Sequence, residues 1–327
     1  MEFRARTDCH HSAIIHDLQT IAMLSKYCLT FFLILAAPLL PHADPLIVGY
    51  LPHYKIDTVS EEQLSALTDL VLFGPSLKAD GSLDLEVLSV SVLEKLKRRK
   101  ENGYFNMHLT VGGWGKSNGF ATASMTKQSR NNLIEKLLNV CVVNHFDGID
   151  YDWEHPKGKE ELLQYTLLIE ETSAAFKNRG MIVSVAQASW QNLGKRLYAV
   201  VDRIHLMSYD HAFPQATLEK STEDAKRLIE WGCPARKILL GIPFYGRDRN
   251  REAISYAELT KTGTPKPNED QIRGYAFNNK LTVAAKLNLV DHLKLGGLMI
   301  WEVGQDTVDP KASLLKFIKQ RTKQTGK

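Results

Sequence analysis

From Leu46 onward, short apolar runs alternate with longer stretches in which hydrophobic residues recur every three or four positions. The runs at 46–50, 69–73, 107–111, 181–186, 203–209, 237–242 and 296–301 are rich in Val, Ile, Leu and Tyr and read as buried strands. Between them the helical period predicts helices at 85–99, 128–143, 160–177, 193–200, 218–231, a stretch ending near 287, and 314–320. Ser60 with Gln63 makes a capping box for a further helix through Leu67. Strand and helix alternate about eight times, which implies a parallel sheet covered by helices. Closed on itself, that sheet is a (β/α)8 TIM barrel without a large inserted domain, because the loop-rich stretch 247–270 is short. An open doubly wound sheet is the rival, but no Gly-x-Gly-x-x-Gly follows the first strand.

One predicted strand breaks the apolar pattern. In Phe146-Asp147-Gly148-Ile149-Asp150-Tyr151-Asp152-Trp153-Glu154 the acids Asp150, Asp152 and Glu154 lie two apart, so on an extended strand they share a face. Asp147 has the other parity and is expected to be structural. Carboxyls this close raise at least one pKa and share a proton, which keeps a general acid protonated near neutral pH. A solvated acidic loop is disfavoured by the alternating hydrophobic residues. A calcium loop starting at Asp150 would need Gly where His155 stands.

A barrel puts its chemistry at the C-terminal ends of its strands. Polar and aromatic residues collect there: Thr110-Val111-Gly112-Gly113 and Trp114, Asp152 and Glu154, Gln187 and Trp190, Tyr209 and Asp210, Phe244-Tyr245-Gly246-Arg247, and Trp301-Glu302. Such a rim suits sugars, whose ring faces stack on aromatics while their hydroxyls need hydrogen-bond partners.

Composition changes this picture little. The 327 residues carry 41 Lys+Arg against 37 Asp+Glu, and no basic run is interleaved with aromatics, so nucleic acid is not implied. Of the four cysteines, Cys9, Cys28, Cys141 and Cys233, none forms a zinc spacing. Cys141 reads as a buried thiol, and a Cys141–Cys233 disulfide stays open. Gly115-Lys116-Ser117 lacks the first glycine of a phosphate loop, where Thr110 stands, and no Gly-x-Ser-x-Gly elbow occurs. His53, His145, His155, His205 and His211 read as structural or surface residues, with His211, beside Asp210, the best exception.

Lys26 precedes an apolar run, residues 27–40, interrupted by Pro38. The run is too short to span a bilayer but suits a signal peptide cleaved after Ala43. Residues 1–22 are polar and unlike a usual leader, so Met23 is the better start. A secreted protein, extracellular or periplasmic, is expected, with a catalytic barrel over 44–320 and a basic tail at 321–327.

The stretch from Asp147 to Glu154 resembles the active-site signature of the family 18 glycoside hydrolases, the chitinases and their relatives. The likeness extends over about residues 46–317. Thr110-Val111-Gly112-Gly113 is similar to that family's Ser-x-Gly-Gly, Met207-Ser208-Tyr209-Asp210 to its Met-x-Tyr-Asp, and Gly296–Trp301 to its last strand. Phe73-Gly74-Pro75-Ser76 departs by lacking the second aromatic usual there.

The resemblance implies cleavage of β-1,4-linked N-acetylglucosamine polymers or oligomers with no metal or cofactor. Glu154 would be the general acid, Asp152 would orient the substrate's acetamide, Asp150 would share a proton with Asp152, and Tyr209 would hold the acetyl oxygen. Trp301 would floor the sugar site, with Tyr50, Gly113, Trp114, Gln187, Met207, Asp210, Tyr245 and Arg247 lining it. An endo-β-N-acetylglucosaminidase acting on N-glycans or wall glycan, and a non-catalytic chitin-binding protein, remain alternatives. The partner implied is the sugar chain alone, with no stable membrane span and a monomeric state.

Overall fold

A computed structural model describes residues 44–102, 105–261, 265–266 and 268–325. The signal peptide, its cleavage point and Met23 lie outside the described residues. So do Cys9 and Cys28.

The strands are β1 (Leu46–Pro52), β2 (Asp69–Phe73), β3 (Asn106–Gly112), β4 (Gly148–Asp152), β5 (Ile182–Ala188), β6 (Arg203–Met207), β7 (Ile238–Pro243) and β8 (Gly297–Trp301). They close into a parallel barrel in which β1 pairs with both β2 and β8. Around it run α1 (Glu61–Leu64), α2 (Val90–Asn102), α3 (Phe120–Ser124), α4 (Lys127–Val143), α5 (Gly158–Lys177), α6 (Lys195–Val200), α7 (Leu218–Glu230), α8 (Tyr256–Thr260), α9 (Lys280–Leu293) and α10 (Leu314–Thr325). Among the described residues no helix is long and apolar enough to cross a membrane.

Each strand is buried along nearly its whole length, and the alternation of side chains sorts them into two layers. The outward set, including Ile149, Val183, Leu206 and Leu298, joins the helices in the main apolar core. The inward set holds a small apolar cluster, Val48, Tyr50, Val71, Phe73, Leu239 and Met299. The rest of the interior is polar. At one level Asp69 accepts from Arg203 Nη1 at 2.9 Å and lies 2.8 Å from His108 Nε2, so this cluster ties β2, β3 and β6 together from inside.

Several boundaries differ from the sequence reading. The helix expected at 85–99 is α2, starting at Val90, because Leu83–Asp84 pairs with Ser76–Leu77 and the Asp84 carboxylate accepts the Glu86 N–H at 3.1 Å. Residues 247–270, read as loop, contribute to a four-stranded antiparallel sheet of Tyr245–Arg247, Ala253–Ser255, Gln271–Ile272 and Tyr275–Ala276, with α8 inside the excursion. The expected tail beyond Gln320 continues α10 to Thr325. Cys141 and Cys233 are buried free thiols, and burial pushes each up to about 12.

Candidate active site

Asp150 and Asp152 are consecutive inward residues of β4, and both are buried. Their neighbours Ile149 and Tyr151 face outward; the Tyr151 hydroxyl meets Thr172 Oγ1 of α5 at 2.9 Å. Glu154 follows the strand's end. Its N–H donates to Ser117 Oγ at 3.0 Å, and Ser117 in turn donates to the Asp152 carbonyl at 3.1 Å. The loop after β3 thus carries the turn on which Glu154 sits.

The three acids fall into different states. Burial pushes the Asp152 carboxyl well above the usual range, with the charges of Glu154 and Asp150 adding to it. Burial and the charge of Asp210 raise Glu154 to about 7, against a main-chain N–H of Trp114 that favours the ionised form. Asp150, expected to share a proton with Asp152, is shifted in the other direction. Burial pushes it up too, but His205, Ser184 and Tyr50 outweigh burial and hold it below the ordinary carboxylate value. Asp152 Oδ1 is buried and makes no hydrogen bond among the described residues.

The residues expected as the floor form an aromatic cluster. Trp301 lies edge-to-face with Phe73 at 4.9 Å and tilted against Tyr50 at 5.6 Å. Met207 and Tyr209 pack on the same cluster, and the Tyr209 hydroxyl sits 3.9 Å from Met299 Sδ. Burial raises Tyr209 well above its ordinary value, helped by Tyr245, Asp152 and Glu154, so its hydroxyl is a donor. Asp210 accepts from Tyr245 Oη at 2.8 Å and is gripped by Arg247 through Nε and, at 2.8 Å, Nη2. Gly113 has φ 111, and a Cβ there would lie 2.5 Å from the Phe73 ring and 3.4 Å from Asp152 Oδ2. A groove of about 540 Å³ is lined by Trp301, Glu302, Tyr54, Lys55 and Glu258.

Most residues expected at the rim therefore converge. Two do not do so as expected. Gln187 belongs to the strand rather than to the loop after it, and its amide nitrogen donates to Gln191 O at 2.6 Å and Tyr198 Oη at 3.1 Å, in the helix layer. The Trp114 side chain is 80% exposed, and its contact with Glu154 runs through the backbone. Asp147 is structural: it accepts from Lys100 Nζ at 2.6 Å and Met107 N at 2.7 Å.

Sequence reasoning also missed residues. His205, Ser184 and Phe73 line the interior, and inward parity on their strands would have found them. His211, the histidine singled out beside Asp210, instead pairs with Asp224 at 2.8 Å. His155 Nε2 lies 3.7 Å from Glu154 Oε2, with its ring edge-on to Trp190 at 4.8 Å.

The class is set by the fold and by acids at the mouth of a closed barrel. A chitinase from Bacteroides thetaiotaomicron superposes with a TM-score of 0.78 over 86% of this chain and 97% of that one, at 22% identity. A family 18 N-acetylglucosaminidase from Paenibacillus barengoltzii gives 0.71 over 84% and 99%, at 20% identity.

In sequence, Chitinase 1 of Aphanocladium album is 25% identical over 62% of this chain and 62% of its own length. Chitinase A1 of Niallia circulans is 25% identical over 49% and 29%. The chain thus spans less than two thirds of the length of these relatives. The profile for glycosyl hydrolases family 18 matches residues 46–306, and the chain belongs to that family.

Proposed function

We propose that the protein is a chitinase-like glycoside hydrolase that cleaves β-1,4 links between N-acetylglucosamine units with retention of configuration. The observation that carries this reading is the pair Asp152 and Glu154. Burial and neighbouring charge raise both carboxyls above their ordinary values, and Asp152 Oδ1 is a buried acceptor without a hydrogen bond among the described residues. That is what substrate-assisted hydrolysis needs. Glu154 gives its proton to the glycosidic oxygen as the bond to the anomeric carbon breaks. The acetamide carbonyl oxygen of the same sugar forms the new bond to that carbon. Asp152 Oδ1 accepts the acetamide N–H, and the ionised Asp150, the preceding inward residue of β4, balances the positive ring. Tyr209 donates to the acetyl oxygen. Glu154, now a base, takes a proton from water as it attacks the anomeric carbon and reopens the ring. The kinship with chitinases supports the substrate class, and the leader read in residues 27–43 fits a secreted enzyme.

The test uses N-acetylated chito-oligosaccharides carrying a reporter group, alongside their deacetylated counterparts. Release from the first and at least about a hundredfold less from the second is expected, because the deacetylated sugars lack the internal nucleophile. Equal rates would rule out the assisted mechanism, and tight binding without release would make the protein a sugar-binding member of its family.

A further inference from the structure

The interior of the barrel holds a histidine whose position in the proton arrangement has not been assigned. His205 is buried on β6, and its ring stands edge-on to Tyr50 at 5.6 Å. Asp150 Oδ1 accepts from Ser184 Oγ at 2.6 Å and Oδ2 from Tyr50 Oη at 2.7 Å. His205 Nδ1 lies 2.7 Å from Tyr50 Oη and 3.1 Å from Asp150 Oδ1. His205 Nε2 is buried and makes no hydrogen bond among the described residues.

Two proton arrangements connect these atoms. In one, Tyr50 donates to Asp150 and His205 carries its proton on Nδ1, aimed at Tyr50 Oη and Asp150 Oδ1. In the other, a protonated Asp150 donates to Tyr50, Tyr50 donates to a bare Nδ1, and the imidazole proton moves to Nε2. The second needs a protonated Asp150 that donates to Tyr50, whereas in the first the Tyr50 and Ser184 hydroxyls both donate to an ionised carboxylate, the stronger, charge-assisted arrangement. The accounting therefore places the proton on Nδ1 and leaves Asp150 surrounded by donors.

We propose that His205 is a positioning residue of this site: its Nδ1–H, with the Ser184 and Tyr50 hydroxyls, locks Asp150 as an unprotonated acceptor and keeps the mobile proton of the barrel mouth on Asp152 and Glu154. The other ionisable groups around it fit. Tyr50 approaches from β1, and Asp150 and Asp152 from β4. On its own strand the next inward residue is Arg203, whose charge is already taken by Asp69 at 2.9 Å, with His108 on the same carboxylate. Asp150 held below its ordinary value and Asp152 pushed well above its own are the two signatures of that division.

This inference rests on the proposed hydrolysis for its kinetic consequence but not for its proton assignment, so two measurements separate them. Long-range 1H–15N correlation spectra of the full-length protein, labelled at histidine, are expected to show His205 with a proton on Nδ1; a bare Nδ1 with the proton on Nε2 overturns the proposal whatever the enzyme hydrolyses. The pH dependence of turnover on N-acetylated oligomers supplies the second. In His205→Leu, Asp150 gains proton affinity and loses the charge that pushes the proton up to its neighbours. The alkaline limb is then expected about one pH unit lower, with kcat down about tenfold or more and KM within about threefold. His205→Asn keeps a donor and is expected to return the limb to within about a third of a unit of wild type. A Leu variant that only melts earlier, with the limb unmoved, makes His205 a packing residue and overturns the proposal.

Discussion

At the scale of single residues, Glu154 carries the sharpest consequences. A general acid must hold its proton, so turnover is expected to fall as pH rises through about 7, the value to which burial and the Asp210 charge lift this carboxyl. Glu154→Gln is expected to lower kcat by at least about a thousandfold while leaving sugar binding intact, as read by calorimetry. The same raised pKa acts on stability. The folded state holds this proton more tightly than the unfolded chain, so the contribution is full below the unfolded value near 4.5 and is lost as pH climbs through about 7. Glu154→Gln is therefore expected to melt later than wild type at pH 8, by about 1–3 kcal/mol, and no later at pH 4. Much of this site was legible, because acids two apart on an apolar strand have few bland explanations. His205 was not, because parity was applied to the acids of β4 and not to the neutral side chains of β6. Gln187 went astray for the opposite reason. The apolar run hides that β5 continues to Ala188, so Gln187 has the outward parity of Val183 and Val185.

Among elements, the turn leaving β3 matters most. Gly112 has φ 101, and a Cβ there would come within 2.3 Å of the Asp152 carbonyl oxygen. That oxygen also accepts from Gly113 N at 2.7 Å, so the turn of β3 and the end of β4 are fixed against each other. Gly112→Ala is expected to cost about 2–4 kcal/mol in denaturant unfolding and to lower kcat in the folded fraction, since Asp152 must shift. The loop that follows was readable only as a failed phosphate motif; its Ser117 bridges Asp152 to Glu154, a contact between chain segments that spacing does not encode. A second junction joins the end of β6 to the small antiparallel sheet through Asp210 and Arg247. Arg247→Ala frees a carboxylate facing Glu154, and the alkaline limb of kcat is expected to move upward in pH.

Across the whole molecule, the alternation of strands and helices announced a parallel sheet covered on both faces, and the missing Gly-x-Gly-x-x-Gly after β1 favoured the closed barrel over an open sheet. What the pattern did not announce is the polar interior, since a carboxylate on an apolar strand looks the same whether it faces a sugar or an arginine. Burial raises Asp69, but His108 and Arg203 outweigh it and hold the carboxyl far below its ordinary range. The stability this contributes is present above about pH 4 and is lost as pH falls further. Asp69→Ala leaves the buried His108 and the partly buried Arg203 without their acceptor, and a loss of about 3–5 kcal/mol is expected in urea at neutral pH, shrinking in acid. The seam between β1 and β8 has a consequence in time. Tyr50 and Trp301 touch across it, although most of the chain separates them. A nascent chain halted before Gly297 carries Asp150, Asp152 and Glu154 but lacks the strand that closes the barrel. Recovery of turnover after dilution from denaturant thus reports the moment the ring shuts, and it is expected to trail helical circular dichroism.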